Sequence, residues 1–148
     1  MNPVVTKAKT TAGNFFEDFS LGQVIHHATP RTVTEGDVSL YSALYGTRFA
    51  VQSAESFAKA IGYPRAPVDD LLVFHVVFGK TVPDVSLNAV ANLGYAEGRW
   101  LRPVWPGDTL TAQLEVTKVE DGLATIKVVT VNQNGESVVE GEAVAVTS

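Results

Sequence analysis

The feature that most constrains this chain is an apolar block behind two carboxylates, Asp69-Asp70-Leu71-Leu72-Val73-Phe74-His75-Val76-Val77-Phe78-Gly79. Within the block only His75 is polar. The β-branched Val73, Val76 and Val77 suit a buried strand. Length and punctuation suit a helix. Asp69 is a good N-cap, Asp70 is an acid where the helix dipole favours one, Gly79-Lys80 supplies a stop with a cation, and Pro83 follows. The balance predicts a helix from about Asp69 to Lys80. A helix apolar on every face must be buried on every face. This element is therefore expected to be the core around which the chain wraps.

At 148 residues, with 45% apolar and 18% charged side chains, the chain is expected to form one globular domain over 14–148 behind a loose polar arm over 1–13. A net charge of −5 with scattered basic residues argues against nucleic acid or an anionic membrane as partner. The absence of Cys excludes disulfides, thiol catalysis and Cys-based zinc sites, and fits a cytoplasmic location. No stretch approaches a transmembrane length, and the N-terminus lacks the apolar core of a signal peptide.

Ahead of the central block, Gln23 to Val33 alternates as a first strand. Thr34-Glu35-Gly36-Asp37 has the form of a capping box with Asp in place of Glu, opening a short amphipathic helix to Tyr45 that Gly46 ends. Thr47 to Ala54 reads as loop, Glu55 to Ile61 as one or two helical turns, and Tyr63-Pro64-Arg65-Ala66-Pro67 as irregular. Beyond Pro83 the pattern turns to strands: Leu87 to Leu101, Thr109 to Val119, Leu123 to Val131 and Ser137 to Val146. Turn sequences such as Glu120-Asp121-Gly122 and Asn132-Gln133-Asn134-Gly135 separate them. The class is α+β, with one antiparallel sheet around one helix.

Specific phrases match a known family. Arg31-Thr32-Val33-Thr34-Glu35-Gly36-Asp37 resembles the opening of MaoC-like hydratases, and Arg102 to Leu110 resembles their P-x-x-x-G-D-x-L phrase. Ala66 to Arg99 is similar to the first half of mesaconyl-CoA (2-methylfumaryl-CoA) hydratases. The resemblance covers roughly Phe15 to Leu114. It implies a single hot-dog domain, in which a curved sheet wraps a long helix. It also implies reversible syn addition of water across the double bond of an acyl-CoA, with coenzyme A present only as part of the substrate and no other cofactor. Those hydratases have two hot-dog halves, whereas this chain has one.

The usual motif of the family, G-D-x-N-P-x-H-x-D, supplies an Asp and a His that activate water. Here the matching stretch runs from Gly46 to Ala54, with Thr47 in the place of the Asp and Gln52 in the place of the His. Neither can act as a base at neutral pH. By elimination and position, the candidate catalytic groups are Asp69, Asp70 and His75. Asp69 and Asp70 also have a plain structural reading as cap and dipole partner, and His75 as a core histidine. A spacing of five places Asp70 and His75 on different helix faces, which counts against a dyad within one helix. Arg48 and Arg65, in loops flanking the expected pocket, are the preferred binders of a phosphate or of a second acyl carboxylate, ahead of Arg99 and Arg102. Asn88 and Asn92 fall in the most family-specific phrase and are further candidates for substrate contact. His26-His27 has no other His or Cys spaced to complete a metal site.

The leading expectation is an acyl-CoA hydratase of the MaoC-like class acting on a short, branched, mesaconyl-like enoyl-CoA. Three alternatives stay open: a hot-dog thioesterase using Asp69 or Asp70, a non-catalytic pocket-forming subunit whose dyad lies on a second hot-dog chain, and an isolated half without activity. Open strand edges lead us to expect a homodimer or higher oligomer.

Overall fold

The computed structural model describes residues 13–26, 29–46 and 49–146. All but Gly13 of the expected arm over 1–13, together with His27, Thr47 and Arg48, lies outside the described residues. After a 3-10 turn at Phe16–Asp18 come strands β1 (Val24–His26) and β2 (Arg31–Thr32), then helices α1 (Glu35–Tyr45), α2 (Ala50–Ser53), α3 (Glu55–Ala60) and α4 (Asp70–Val85). Strands β3 (Ala91–Trp100), β4 (Thr109–Glu120), β5 (Leu123–Val131) and β6 (Ser137–Val146) complete the chain. The strands pair antiparallel in the order β1-β4-β5-β6-β3, and β2 joins β4. The α+β class and the hot-dog arrangement of sheet and long helix are as expected.

Alternation on β4 and β5 turns Leu110, Leu114, Val116, Ile126 and Val128 inward, where they meet Leu72, Val73, Val76 and Val77 of α4 in one core cluster. The β4–β5 turn places Asp121 and Gly122 at positive φ (49° and 76°), as a tight hairpin requires. Gln23 to Val33 does not form one strand. Ile25 faces Leu114 and Arg31 faces Leu110, so six residues pass against four, and Pro30 falls within the break.

Helix α4 begins as expected. The Asp69 carboxylate accepts from the Leu71 N–H over 2.8 Å, and Asp69 itself is 5% exposed. It does not stop at Gly79-Lys80 but continues through Pro83 to Val85. Gly79 keeps ordinary helical geometry and is exposed, so water can meet the carbonyl that Pro83 leaves without a donor. Burial of Thr81, Asp84 and Val85 draws the chain onward, and the Asn14 side-chain amide donates to the Asp84 carbonyl over 2.7 Å, which satisfies the last turn. The helix is also not buried on every face. Leu71, His75 and Gly79, one turn apart, form an exposed stripe, with Leu71 37% exposed. Edge strand β3 has no buried residue, so nothing else in the described chain covers this flank.

Candidate active site at the N-terminus of the central helix

The chain segments around the start of α4 close on a cleft of about 300 Å³. Short helix α2 forms one side with Gln52, the segment through Tyr63 and Val68 a second, and Trp100 to Val104 a third; Asp70 stands at the helix end. Backbone bonds hold this frame together. The Val68 N–H donates to the Val104 carbonyl over 2.8 Å, and the Val33 N–H to the Asp108 carbonyl over 2.9 Å. The buried Asp108 carboxylate accepts from the Trp105 N–H (2.9 Å) and the Gln133 side-chain amide (2.8 Å). The Asp of the P-x-x-x-G-D-x-L phrase is thus a turn staple that sets the cleft wall.

The sequence candidates separate in space. Asp69 is the N-cap, and its neighbour Asp70 is the one carboxylate among the described lining residues of the cleft. His75 lies on the exposed stripe, with its ring 6.3 Å from that of Tyr41 and 5.8 Å from that of Phe74, and does not line the cleft. Arg65 forms an ion pair with Glu35 over 2.6 Å and lines a neighbouring cleft of about 410 Å³, which also includes Gln52. Among the described lining residues of the cleft the cation is instead Arg102, more than half exposed and 3.7 Å from Glu136. Asn88 follows the C-terminal end of α4, the opposite end from Asp70, and Asn92 is exposed on edge strand β3. His26 is exposed on β1, and among the described residues no group of His, Asp and Glu is placed to hold a metal ion.

Two features of the site were not apparent from the residue pattern. The Trp100 indole N–H donates to the Asp70 carbonyl over 3.1 Å, joining β3 to the first turn of α4. Gln52 is 7% exposed, and its Oε1 is buried without a hydrogen-bond partner. Its alignment with the usual His was the one available signal.

Two carboxyls on elements around the cleft are shifted. The Ala66 N–H holds the Glu55 carboxyl below the ordinary range, and Lys59 adds to this. In the capping box of α1, the Thr34 N–H lowers Asp37 in the same way, helped by Arg31 at 2.7 Å.

Residues 18–138 match the MaoC like domain. The chain belongs to that family. It is 58% identical over 139 residues to the β-methylmalyl-CoA dehydratase of Chloroflexus aurantiacus, and 57% identical over 136 residues to the mesaconyl-CoA hydratase of Cereibacter sphaeroides. These matches cover 90% and 88% of this chain but 40% of each relative, so the chain spans about two fifths of the length of the curated relatives it matches. A solved MaoC domain dehydratase from Chloroflexus aurantiacus superposes with a TM-score of 0.87 at 56% identity, over 96% of this chain and 42% of the other. A conserved Mycobacterium tuberculosis protein with a double hotdog fold superposes with a TM-score of 0.81 at 25% identity, over 92% of this chain and 44% of the other. The family has the hot-dog fold, and this chain is one hot-dog domain. No described helix is long and apolar enough to cross a membrane.

Proposed function

We propose that this chain takes part in the reversible hydration of a short, branched enoyl-CoA of the mesaconyl type, holding the acyl thioester in the cleft at the N-terminus of α4. The carrying observation is that cleft, with one carboxylate beside a helix N-terminus, in a chain 57–58% identical to enzymes named for mesaconyl-CoA and β-methylmalyl-CoA. The positive end of the helix dipole favours the charge that develops on the thioester oxygen. Asp70 is the lining group able to take a proton from water as its oxygen bonds to the β-carbon, and to return that proton to the α-carbon. One group serving both carbons from one side gives syn addition.

A second reading is favoured by one observation: Gln52, which cannot act as a base, is buried where the family's His is expected. In that reading a second hot-dog layer carries the acid/base pair and this chain shapes the pocket. Separately from that reading, edge strand β3 exposes Leu93 (60% exposed) and the half-exposed Tyr95, whose ring lies 4.9 Å from that of Phe74 on α4, and we propose that a second copy packs there. His75 can act only in a site built over this flank.

The deciding experiment incubates the purified chain with mesaconyl-CoA and crotonyl-CoA and follows enoyl absorbance and free thiol separately. Loss of absorbance without thiol supports hydration. Thiol release overturns it in favour of thioester hydrolysis. Tight binding without either change supports the pocket-forming reading.

A further inference from the structure

We infer that the Trp100 indole limits the length of acyl chain the cleft can take, by closing it off from an apolar recess that continues along α4. The inference rests on the acyl-CoA reading of the cleft and adds to it a specificity-determining residue.

The recess, of about 200 Å³, lies between α4 and the sheet. Phe74 and Phe78, one and two turns beyond Asp70, form one wall, and the Tyr95 ring on β3 meets theirs at 4.9 and 5.0 Å. The floor comes from the bulge in β3. There Glu97 and Gly98 stand opposite the single Gly141 of β6, and neither glycine has a side chain to fill the space. Among the described residues, Trp100 is the one that lines both the recess and the cleft. Its indole is fixed there by the bond from its N–H to the Asp70 carbonyl over 3.1 Å. The far edge of the ring lies over Gly98, where an added Cβ would come 3.7 Å from Cζ3. The indole is therefore a partition in a groove that follows the Asp70, Phe74 and Phe78 stripe of α4. A short acyl chain ends against it. A longer chain must turn out toward water, and its added carbons gain little burial. With the ring removed, the same carbons enter the aromatic recess and are buried.

Calorimetric titration with butyryl-CoA and with octanoyl-CoA tests this in the native chain, in Trp100→Ala and in Trp100→Leu. Trp100 is 43% exposed, so its loss does not hollow the core, and far-UV circular dichroism checks the fold of each variant. Two controls accompany them. Trp100→Phe removes the donor but keeps a ring, which separates the partition from the hydrogen bond. Trp100→Ala combined with Gly98→Leu refills the space, since no atom other than those of the Trp100 ring lies within 4 Å of a Cβ at Gly98. The native chain and Trp100→Phe should bind octanoyl-CoA no more tightly than butyryl-CoA. Trp100→Ala and Trp100→Leu should favour octanoyl-CoA by about tenfold or more, and adding Gly98→Leu should abolish that gain. A native chain that already favours octanoyl-CoA, or variants that do not come to favour it, overturn the inference alone. So does a shift in Trp100→Phe as large as that in Trp100→Ala, which assigns the effect to the hydrogen bond, or a gain that survives Gly98→Leu, which places the chain outside the recess. Absence of binding to any CoA thioester overturns the acyl-CoA reading and the inference with it.

Discussion

The indole of Trp100 and the backbone carbonyl of Asp70, thirty residues apart, meet across 3.1 Å. Through this bond the end of an exposed edge strand fixes the first turn of the central helix, where the cleft opens. Trp100→Phe keeps the ring and removes the donor. It should destabilise the chain by about 1 kcal/mol and weaken acyl-CoA binding, because the cleft wall and the helix end are no longer tied. Denaturant unfolding and titration with butyryl-CoA measure the two effects.

The roles of Asp69 and Asp70 are separable. Asp69 is buried and caps α4 through the Leu71 N–H, so Asp69→Ala should cost about 1 kcal/mol of stability, while Asp69→Asn retains most of it because an amide oxygen also caps. Equal losses from the two substitutions would show that the charge of Asp69, and not its acceptor, is needed.

The start of α4 was legible because its cap is local: Asp69 and Leu71 are two residues apart. Its end was not. Gly79, Lys80 and Pro83 are stop signals, yet burial of Val85 and the amide of Asn14, seventy residues upstream, carry the helix past them. Uniform apolarity also misled about burial. Periodicity shows which faces are apolar, but it cannot show that no part of the described chain covers Leu71 and His75. The substitution of Gln52 for the usual His was readable in one dimension. The unmet acceptor was not, since it depends on what surrounds Gln52 in space. Arg48 and Arg65 rank ahead of Arg102 in the sequence because both sit in loops flanking the expected pocket; ion pairing to Glu35 places Arg65 at the neighbouring cleft.

Asp37 gives a pH signature. Its carboxyl is held below its ordinary value of 3.8, chiefly by the Thr34 N–H, with Arg31 assisting against the effect of burial. The unfolded chain therefore takes up this proton at higher pH than the folded chain does. The stabilisation is complete above the ordinary value and is lost as pH falls through the lower folded value. Asp37→Asn should lower the melting temperature at neutral pH, with the gap from the native chain closing as acid protonates Asp37. A gap that stays constant into acid would mean that the carboxylate charge contributes nothing.

If the chain hydrates an enoyl-CoA by itself, Asp70→Asn should reduce turnover by about a hundredfold or more, the range expected for loss of a general acid–base group, with the fold retained by far-UV circular dichroism. His75→Gln separates the two sites. The ring of His75 is exposed and outside the cleft, so a reaction confined to the cleft should be unaffected by it. Loss of turnover in His75→Gln with the fold intact would place the chemistry over the exposed flank, in a site shared with a second layer.

The last prediction concerns that flank. Strand β3 is at the end of the sheet, hydrogen-bonded on one side to β6. Its other side carries unpaired backbone groups, which a second strand can satisfy. Exposed apolar side chains lie on and just before this strand: Val90 is 74% and Leu93 60% exposed. The register shifts between Asn92 and Gly94 and between Ala96 and Arg99 bend the strand, and Glu97 is at positive φ in the second. A second copy of the chain would cover both the open edge and these apolar side chains. Light scattering at micromolar concentration should therefore give about twice the mass of one chain. Val90→Lys with Leu93→Lys should give the single-chain mass with unchanged far-UV circular dichroism, because neither side chain supports the core and like charges would face each other across the two-fold. A native chain that stays monomeric, or a doubly substituted chain that still pairs, would show that this edge is not where a second copy packs.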